Sequence, residues 1–200
     1  MNRTMPPVLV TGGNGFMGGA LLKRLHELGW PAVGVSRKNS YIDGVLRGPS
    51  LDVDADWRPL LHGKHIVIHT AARVHTTHDS VADQLTVFRE VNVAGTVRLA
   101  RQSAESGVHR FIFISSIKVN GEVTKPAQPF MADDVPAPAD PYGISKAEAE
   151  AALLHLATET GMDIVIIRPP LVYGPGVGAN FLRMMRWLKC GVPLPLGAIQ

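Results

Sequence analysis

The sequence predicts an α/β protein built on one doubly wound parallel sheet, and three observations predict it. Short apolar runs recur along the chain: VLV (8–10), IVI (66–68), FIFI (111–114) and IVII (164–167). Longer stretches with helical spacing separate them. Strands of a parallel sheet covered by helices on both faces read as continuous apolar runs of this kind. The first run also ends in a glycine-rich turn, TGGNGFMGG (11–19), that feeds the first helix.

The elements follow in order. PVLVTG (7–12) is a buried strand that stops at glycine. FMGGALLKRLHELG (16–29) is a helix whose Leu21, Leu22, Leu25 and Leu28 share a face, ending at Gly29. PAVGVS (31–36) is the second strand, and a weaker one lies between Gly44 and Val53. HIVIHTAA (65–72) is the fourth and HRFIFISS (109–116) the fifth. Between those two, residues 80 to 106 read as helix, with Leu85, Phe88, Leu99 and Ala100 as core contacts. Asn92 is a poor helix former inside that stretch, so a structural tie is expected of it. DIVIIRPP (163–170) is the sixth strand, ended by two prolines. FLRMMRWLKCG (181–191) has the pattern of an amphipathic helix.

Composition narrows the function. Two hundred residues, 46% hydrophobic and 18% charged, make a globular domain with a real core. The formal charge of +3 is spread among acids and bases, so nucleic acid is not an expected partner. One cysteine, Cys190, excludes an internal disulfide framework. No apolar run approaches a membrane span, and MNRTMPPVLVTGG has no apolar signal core; a cytoplasmic protein is expected. His62, His65, His69, His75 and His78 crowd one region without metal-ligand spacing, so no metal is expected.

Gly12, Gly15 and Gly18 are spaced T-G-x-x-G-x-x-G between the first strand and the first helix. A tight turn, a close approach to pyrophosphate and close helix–strand packing all call for residues without Cβ. The helix start then offers free N–H groups to phosphates. This points to a Rossmann-type dinucleotide site. At the end of the second strand stand Ser36, Arg37 and Lys38, and no carboxylate occurs before Asp43. A basic side chain there pairs with a 2′-phosphate, so NADP is expected over NAD.

DPYGISKAEAE puts Tyr142 one helical turn before Lys146, just after Asp140 and Pro141. Those residues start a helix well. An unperturbed phenol ionises near pH 10. The cation, the helix N-terminus and an oxidised nicotinamide together are expected to lower it toward a working base.

TGGNGFMG, FISSIKVNG (113–121), the Tyr142/Lys146 pair and IIRPPLVYGPG (166–176) resemble the extended short-chain dehydrogenase/reductase group, specifically its NAD-dependent epimerase/dehydratase family. The resemblance implies an acid/base set of Ser116, Tyr142 and Lys146. It implies cofactor contacts at Gly12, Gly15, Phe16, Met17, Ser36, Arg37, Asp52, Val53, Ala71, Ala72, Tyr142, Lys146, Pro169 and Val172. Asp52 and Val53 would hold the adenine, Pro169 to Val172 would shape the nicotinamide pocket, and Asn180 would touch substrate. Two departures stand out. Asn120 replaces the family's usual tyrosine, and Ser116-Ile117-Lys118 replaces the Thr-Asp-Glu of its dehydratases, which disfavours dehydration.

The resemblance implies a nucleotide-sugar substrate, UDP-glucose or UDP-N-acetylhexosamine in type, and 4-epimerisation. A 4-ketoreductase, a reductase of a non-sugar carbonyl and a dinucleotide sensor without turnover are the alternatives, and a homodimer is allowed. It also implies a dinucleotide-binding domain over 1–175 and, over 176–200, the start of a substrate-binding region whose remainder is largely missing.

Overall fold

A computed structural model describes residues 5–38, 42–74 and 81–191, apart from the side chains of Ala82, Ala179 and Asn180. His75 and His78 therefore lie outside the described residues. Six strands form one parallel sheet: β1 (Val8–Thr11), β2 (Ala32–Ser36), β3 (Val45–Arg47), β4 (Ile66–His69), β5 (Arg110–Ile114) and β6 (Asp163–Ile167). Their order is β3-β2-β1-β4-β5-β6. The chain winds outward through β2 and β3, then returns to the centre at β4 and winds the other way. The reversal falls between β1 and β4, the place where open α/β sheets bind ligands.

The helices are α1 (Phe16–Glu27), α2 (Arg58–Leu61), α3 (Val81–Phe88), α4 (Gly95–Glu105), α5 (Pro141–Thr160) and α6 (Ala179–Lys189). Side chains alternate across a strand, and β1 shows the result. Val8 and Val10 pack with Leu22 of α1 on one face, while Leu9 joins Leu99, Ala100, Leu153 and Leu156 of α4 and α5 on the other. The structure splits at residue 170; β1 to β6 and α1 to α5 belong to the first compact unit. In the second, Gly178 is the N-cap of α6, and the Tyr173 ring stacks on Phe181 with centroids 5.2 Å apart.

Several expectations shift in detail. Leu28 is 52% exposed because α1 ends at Glu27 and Leu28 already caps it. Leu85 is half-buried, whereas Phe88, Leu99 and Ala100 are core. The weak strand shrinks to three residues. Among the described residues β6 is the outermost strand beside β5, and Ile167 is 44% exposed. The stretch over 80–106 is not one regular helix, because a π-helical turn, Arg89–Ala94, joins α3 to α4.

Among the described residues no helix is long and apolar enough to cross a membrane.

Candidate functional site

The glycine turn leaves β1 at the reversal point. Gly12 has φ +70°, and an added Cβ there would sit 2.9 Å from Thr70 Oγ1. At Gly18 an added Cβ would overlap the Gly12 carbonyl oxygen and come within 2.6 Å of Thr70 Oγ1. Only glycine lets α1 start this close to the ends of β1 and β4. Gly15 caps α1 without a side-chain hydrogen bond, and no acidic residue stands in the first turn. The unpaired amide dipoles of that turn are left to an anion.

A cleft of about 400 Å³ opens there. Its walls include Gly12, Gly15, Phe16 and Met17 from the turn, Ser36, Arg37 and Lys38 from the end of β2, and Thr70, Ala71 and Ala72 from the end of β4. Leu51 and Trp57 close it on one side. Arg37, Lys38 and Arg73 line it, and no Asp or Glu is among its described lining residues. Ser36 Oγ donates to the Lys38 carbonyl at 2.9 Å, which folds this basic loop back on the strand. The Trp57 side chain is buried, yet its indole N–H has no hydrogen-bond partner among the described residues. Glycine cradle and basic rim both fit a phosphate-bearing dinucleotide.

Leu51, not Asp52 or Val53, lines this cleft. Asp52 and Val53 are exposed, and Val53 borders a separate depression beside Arg89, Arg98 and Arg101.

The acid/base candidates sit past the other central strand. Ser116 follows the end of β5 and caps a 3-10 turn, Ile117–Val119, its Oγ accepting from Lys118 N at 3.3 Å. Ile117 N donates to the Pro169 carbonyl at 3.1 Å, so the two strand ends are tied together. α5 begins against that turn: an added Cβ on Gly143 would lie 3.0 Å from the Lys118 carbonyl oxygen. Asp140 caps α5, Oδ1 accepting from Gly143 N at 2.6 Å. Tyr142 occupies the first turn, its ring edge-on to Phe88 at 5.9 Å between centroids. Lys146 follows one turn later and is buried, its Nζ 4.1 Å from the centroid of the Phe113 ring. Pro169 is half-buried beside this group. Val172 belongs to the second unit, and the Asn180 side chain lies outside the described residues.

Electrostatics here run against the sequence expectation. Burial pushes the Tyr142 phenol above its ordinary value, the Asp140 carboxylate adds to that, and Lys118 works the other way. Burial brings Lys146 down to about 7, and Glu150 partly offsets it. Burial is the largest cause at Tyr142, and the cation that works toward phenolate is Lys118.

Residues that sequence reasoning passed over hold this frame. Glu150 is 3% exposed; Ser115 Oγ donates to it, and Arg168 grips it with Nη2 to Oε2 at 2.6 Å. Arg168 Nη1 reaches Asn120 Oδ1 at 3.2 Å, and Asn120 Nδ2 donates to the Met131 carbonyl at 2.9 Å. The asparagine that departs from the family pattern is thus a node between β6 and the 120–140 loop. Asn92, on the π turn, accepts from Arg73 N at 2.8 Å and donates to Arg73 O and Ser145 Oγ. That is the expected tie. His69 is fully buried between Thr11 Oγ1 (2.7 Å) and Thr96 Oγ1 (3.0 Å), and burial brings it down to about 3. The signal for Glu150 was available: it lies four residues after Lys146, on the same helix face.

A doubly wound sheet with a glycine-cradled cleft at its reversal point defines a Rossmann-type nucleotide-binding fold. The chain belongs to the NAD dependent epimerase/dehydratase family, whose family model matches residues 8–189. It is 46% identical over 212 residues to the UDP-glucose 4-epimerase of Vibrio cholerae, covering 99% of this chain and 62% of that protein. Among solved structures, it is similar to the Thermotoga maritima UDP-glucose 4-epimerase crystallised with UDP-glucose. There the TM-score is 0.73 at 28% identity, over 92% of this chain and 63% of the other. A short-chain dehydrogenase/reductase superfamily protein from Agrobacterium tumefaciens with bound NAD gives a TM-score of 0.70 at 30% identity, over 81% and 48%. The chain spans about half to three fifths of the length of the curated relatives it matches.

Proposed function

We propose that the protein is a nucleotide-sugar 4-epimerase acting on UDP-glucose or a UDP-N-acetylhexosamine, with this chain carrying the dinucleotide cleft and the acid/base group. The observation that carries the reading is that α5, with Tyr142 and Lys146 one turn apart, begins against the turn opened by Ser116, where Gly143 approaches the Lys118 carbonyl. The similarity to UDP-glucose 4-epimerases supports the substrate class.

A bound nicotinamide dinucleotide supplies reversible hydride acceptance at the sugar carbon. Gly12, Gly15, Phe16 and Met17 would hold its pyrophosphate at the start of α1, while Ala71 and Ala72 keep the cleft wall narrow. Tyr142 Oη takes the proton of the sugar hydroxyl and gives it back. A phenol pushed above its ordinary value keeps that proton in the resting chain, which suits the donating half of the cycle. Ser116 Oγ orients the reacting oxygen. Lys146 holds its proton weakly near neutrality and supplies positive charge beside the phenol when it has one. Burial of both groups makes each charge count for more than it would in water.

One observation favours a second reading. Arg37 and Lys38 rim a cleft whose described lining has no carboxylate, which suits a 2′-phosphate and so NADP. An NADP preference favours a 4-ketoreductase, which stops after one hydride delivery.

The test is Tyr142→Phe in the intact protein. The expected result is a fall in kcat of about 100-fold or more for UDP-glucose/UDP-galactose interconversion, with dinucleotide affinity held within about threefold. Near-full turnover by the variant overturns the reading; reduction of a 4-keto-sugar without epimerisation selects the ketoreductase.

A further inference from the structure

We propose that Lys118 is a positioning residue of the acid/base site: by neutralising Asp140 it removes a negative charge from the surroundings of the Tyr142 hydroxyl. The proposal rests on the reading of Tyr142 as the acid/base.

Asp140 carries two duties that conflict. Its Oδ1 caps α5 by accepting from Gly143 N at 2.6 Å. A capping carboxylate stabilises a helix start. The same carboxylate stands two residues before Tyr142, where a negative charge opposes formation of phenolate. Its second oxygen is bonded to Lys118 Nζ. Lys118 reaches it from the 3-10 turn that Ser116 opens, so the compensating cation and the orienting hydroxyl come from one turn. Glu122 holds the same ammonium at 3.2 Å. Both carboxylates push Lys118 above its ordinary value, so it stays charged across the working range.

Other charges stand on the elements packed around Tyr142. On α5 itself they are Lys146 and, further along, Glu150. From α3 and the π turn, which pack on α5, come Asp83, Arg89 and Glu90; Arg89 is engaged by Glu148 at 2.5 Å. Lys118 and Asp140 are the two whose fields act on the phenol, in opposite senses. Asparagine would cap the helix nearly as well with no charge. An aspartate at this place therefore creates the need that Lys118 meets.

The test reads ionisation of Tyr142 without substrate, by titrating tyrosinate absorbance in the intact protein and subtracting the matching Tyr142→Phe protein. Lys118→Met is expected to raise the midpoint by about half to one pH unit, since both side chains are part-exposed and solvent screens the pair. Lys118→Arg keeps the wild-type midpoint, and Asp140→Asn lowers it. Lys118→Met with Asp140→Asn returns it to within about 0.2 units of wild type, because both charges leave and the cap remains. An unmoved midpoint in Lys118→Met or in Asp140→Asn, or a double variant as high as Lys118→Met, overturns the proposal. The outcome is separate from turnover: activity surviving Tyr142→Phe would end the acid/base reading and leave the titration result standing.

Discussion

Lys146 holds its ammonium over the ring of Phe113, 4.1 Å from the centroid, with only 1% of the residue exposed. A cation on an aromatic face in a dry setting gains about 2 kcal/mol, which does not cover the loss of hydration. Its descent to about 7 records the remaining cost. The cation is kept where it is poorly tolerated, a setting that functional and structural ion networks share.

That cost gives a stability prediction. The unfolded chain binds a proton at Lys146 up to about pH 10.5, and the folded chain releases it above about 7. Stability therefore rises with pH across this window, by about 1.4 kcal/mol per unit, and the penalty is fully present below it. Lys146→Met is expected to be more stable than wild type at pH 7 by about 1–3 kcal/mol, with the gap closing toward pH 10. Urea denaturation at stepped pH checks this. A destabilised variant at pH 7 would show that the buried ammonium costs nothing.

His69 has the same sign at lower pH. Its folded value is about 3 against 6.5 for the free side chain, because burial between Thr11 and Thr96 disfavours the charged ring. Below pH 6.5 the unfolded chain takes up a proton that the folded chain refuses. Stability should fall as pH drops toward 3, by about 1.4 kcal/mol per unit from this group alone. His69→Gln should show a shallower decline from pH 6 to 4 in parallel denaturation, since the carboxylates are common to both proteins. Equal slopes would mean that the ring is charged in the folded state.

The cofactor reading is tested at the rim of the cleft. Arg37 and Lys38 are exposed residues that line it. With both changed to Ala, NADP affinity is expected to drop about 10- to 100-fold while NAD affinity changes less than about threefold. Calorimetric titration of the two dinucleotides gives the ratio directly. Equal losses for both would make this a generic pyrophosphate contact, and tighter NAD binding by wild type would reverse the assignment.

Much of this was legible in the chain because strand runs and glycine spacing are local signals. VLV, IVI and FIFI fixed three central strands by their apolarity, and T-G-x-x-G-x-x-G marked the turn. Asp140-Pro141 announced the start of α5. What was hidden depends on distance. Glu150, Arg168, Ser115 and Asn120 come from four segments, and no one of them advertises the others. The exposure of Ile167 was hidden too, because IVII reads as apolar as the other runs. The direction at the phenol was hidden for a related reason: sequence shows a lysine one turn away, but not that both groups lose their water. Lys118 and Asp140 are 22 residues apart in sequence; only the fold makes them a pair.

The π-helical turn over Arg89–Ala94 carries a constraint of another kind. A π turn holds one residue more than an α turn, and an α-helix rotates about 100° per residue. Removing a single residue there would restore a straight helix and swing Asn92 off the Arg73 backbone, while everything before it rotated relative to α4. Substitutions on the outer face of this segment are cheap, but its length is not negotiable. The stretch should accept changes of letter and reject changes of count, so a deletion scan would trace the wall of the cleft more sharply than an alanine scan.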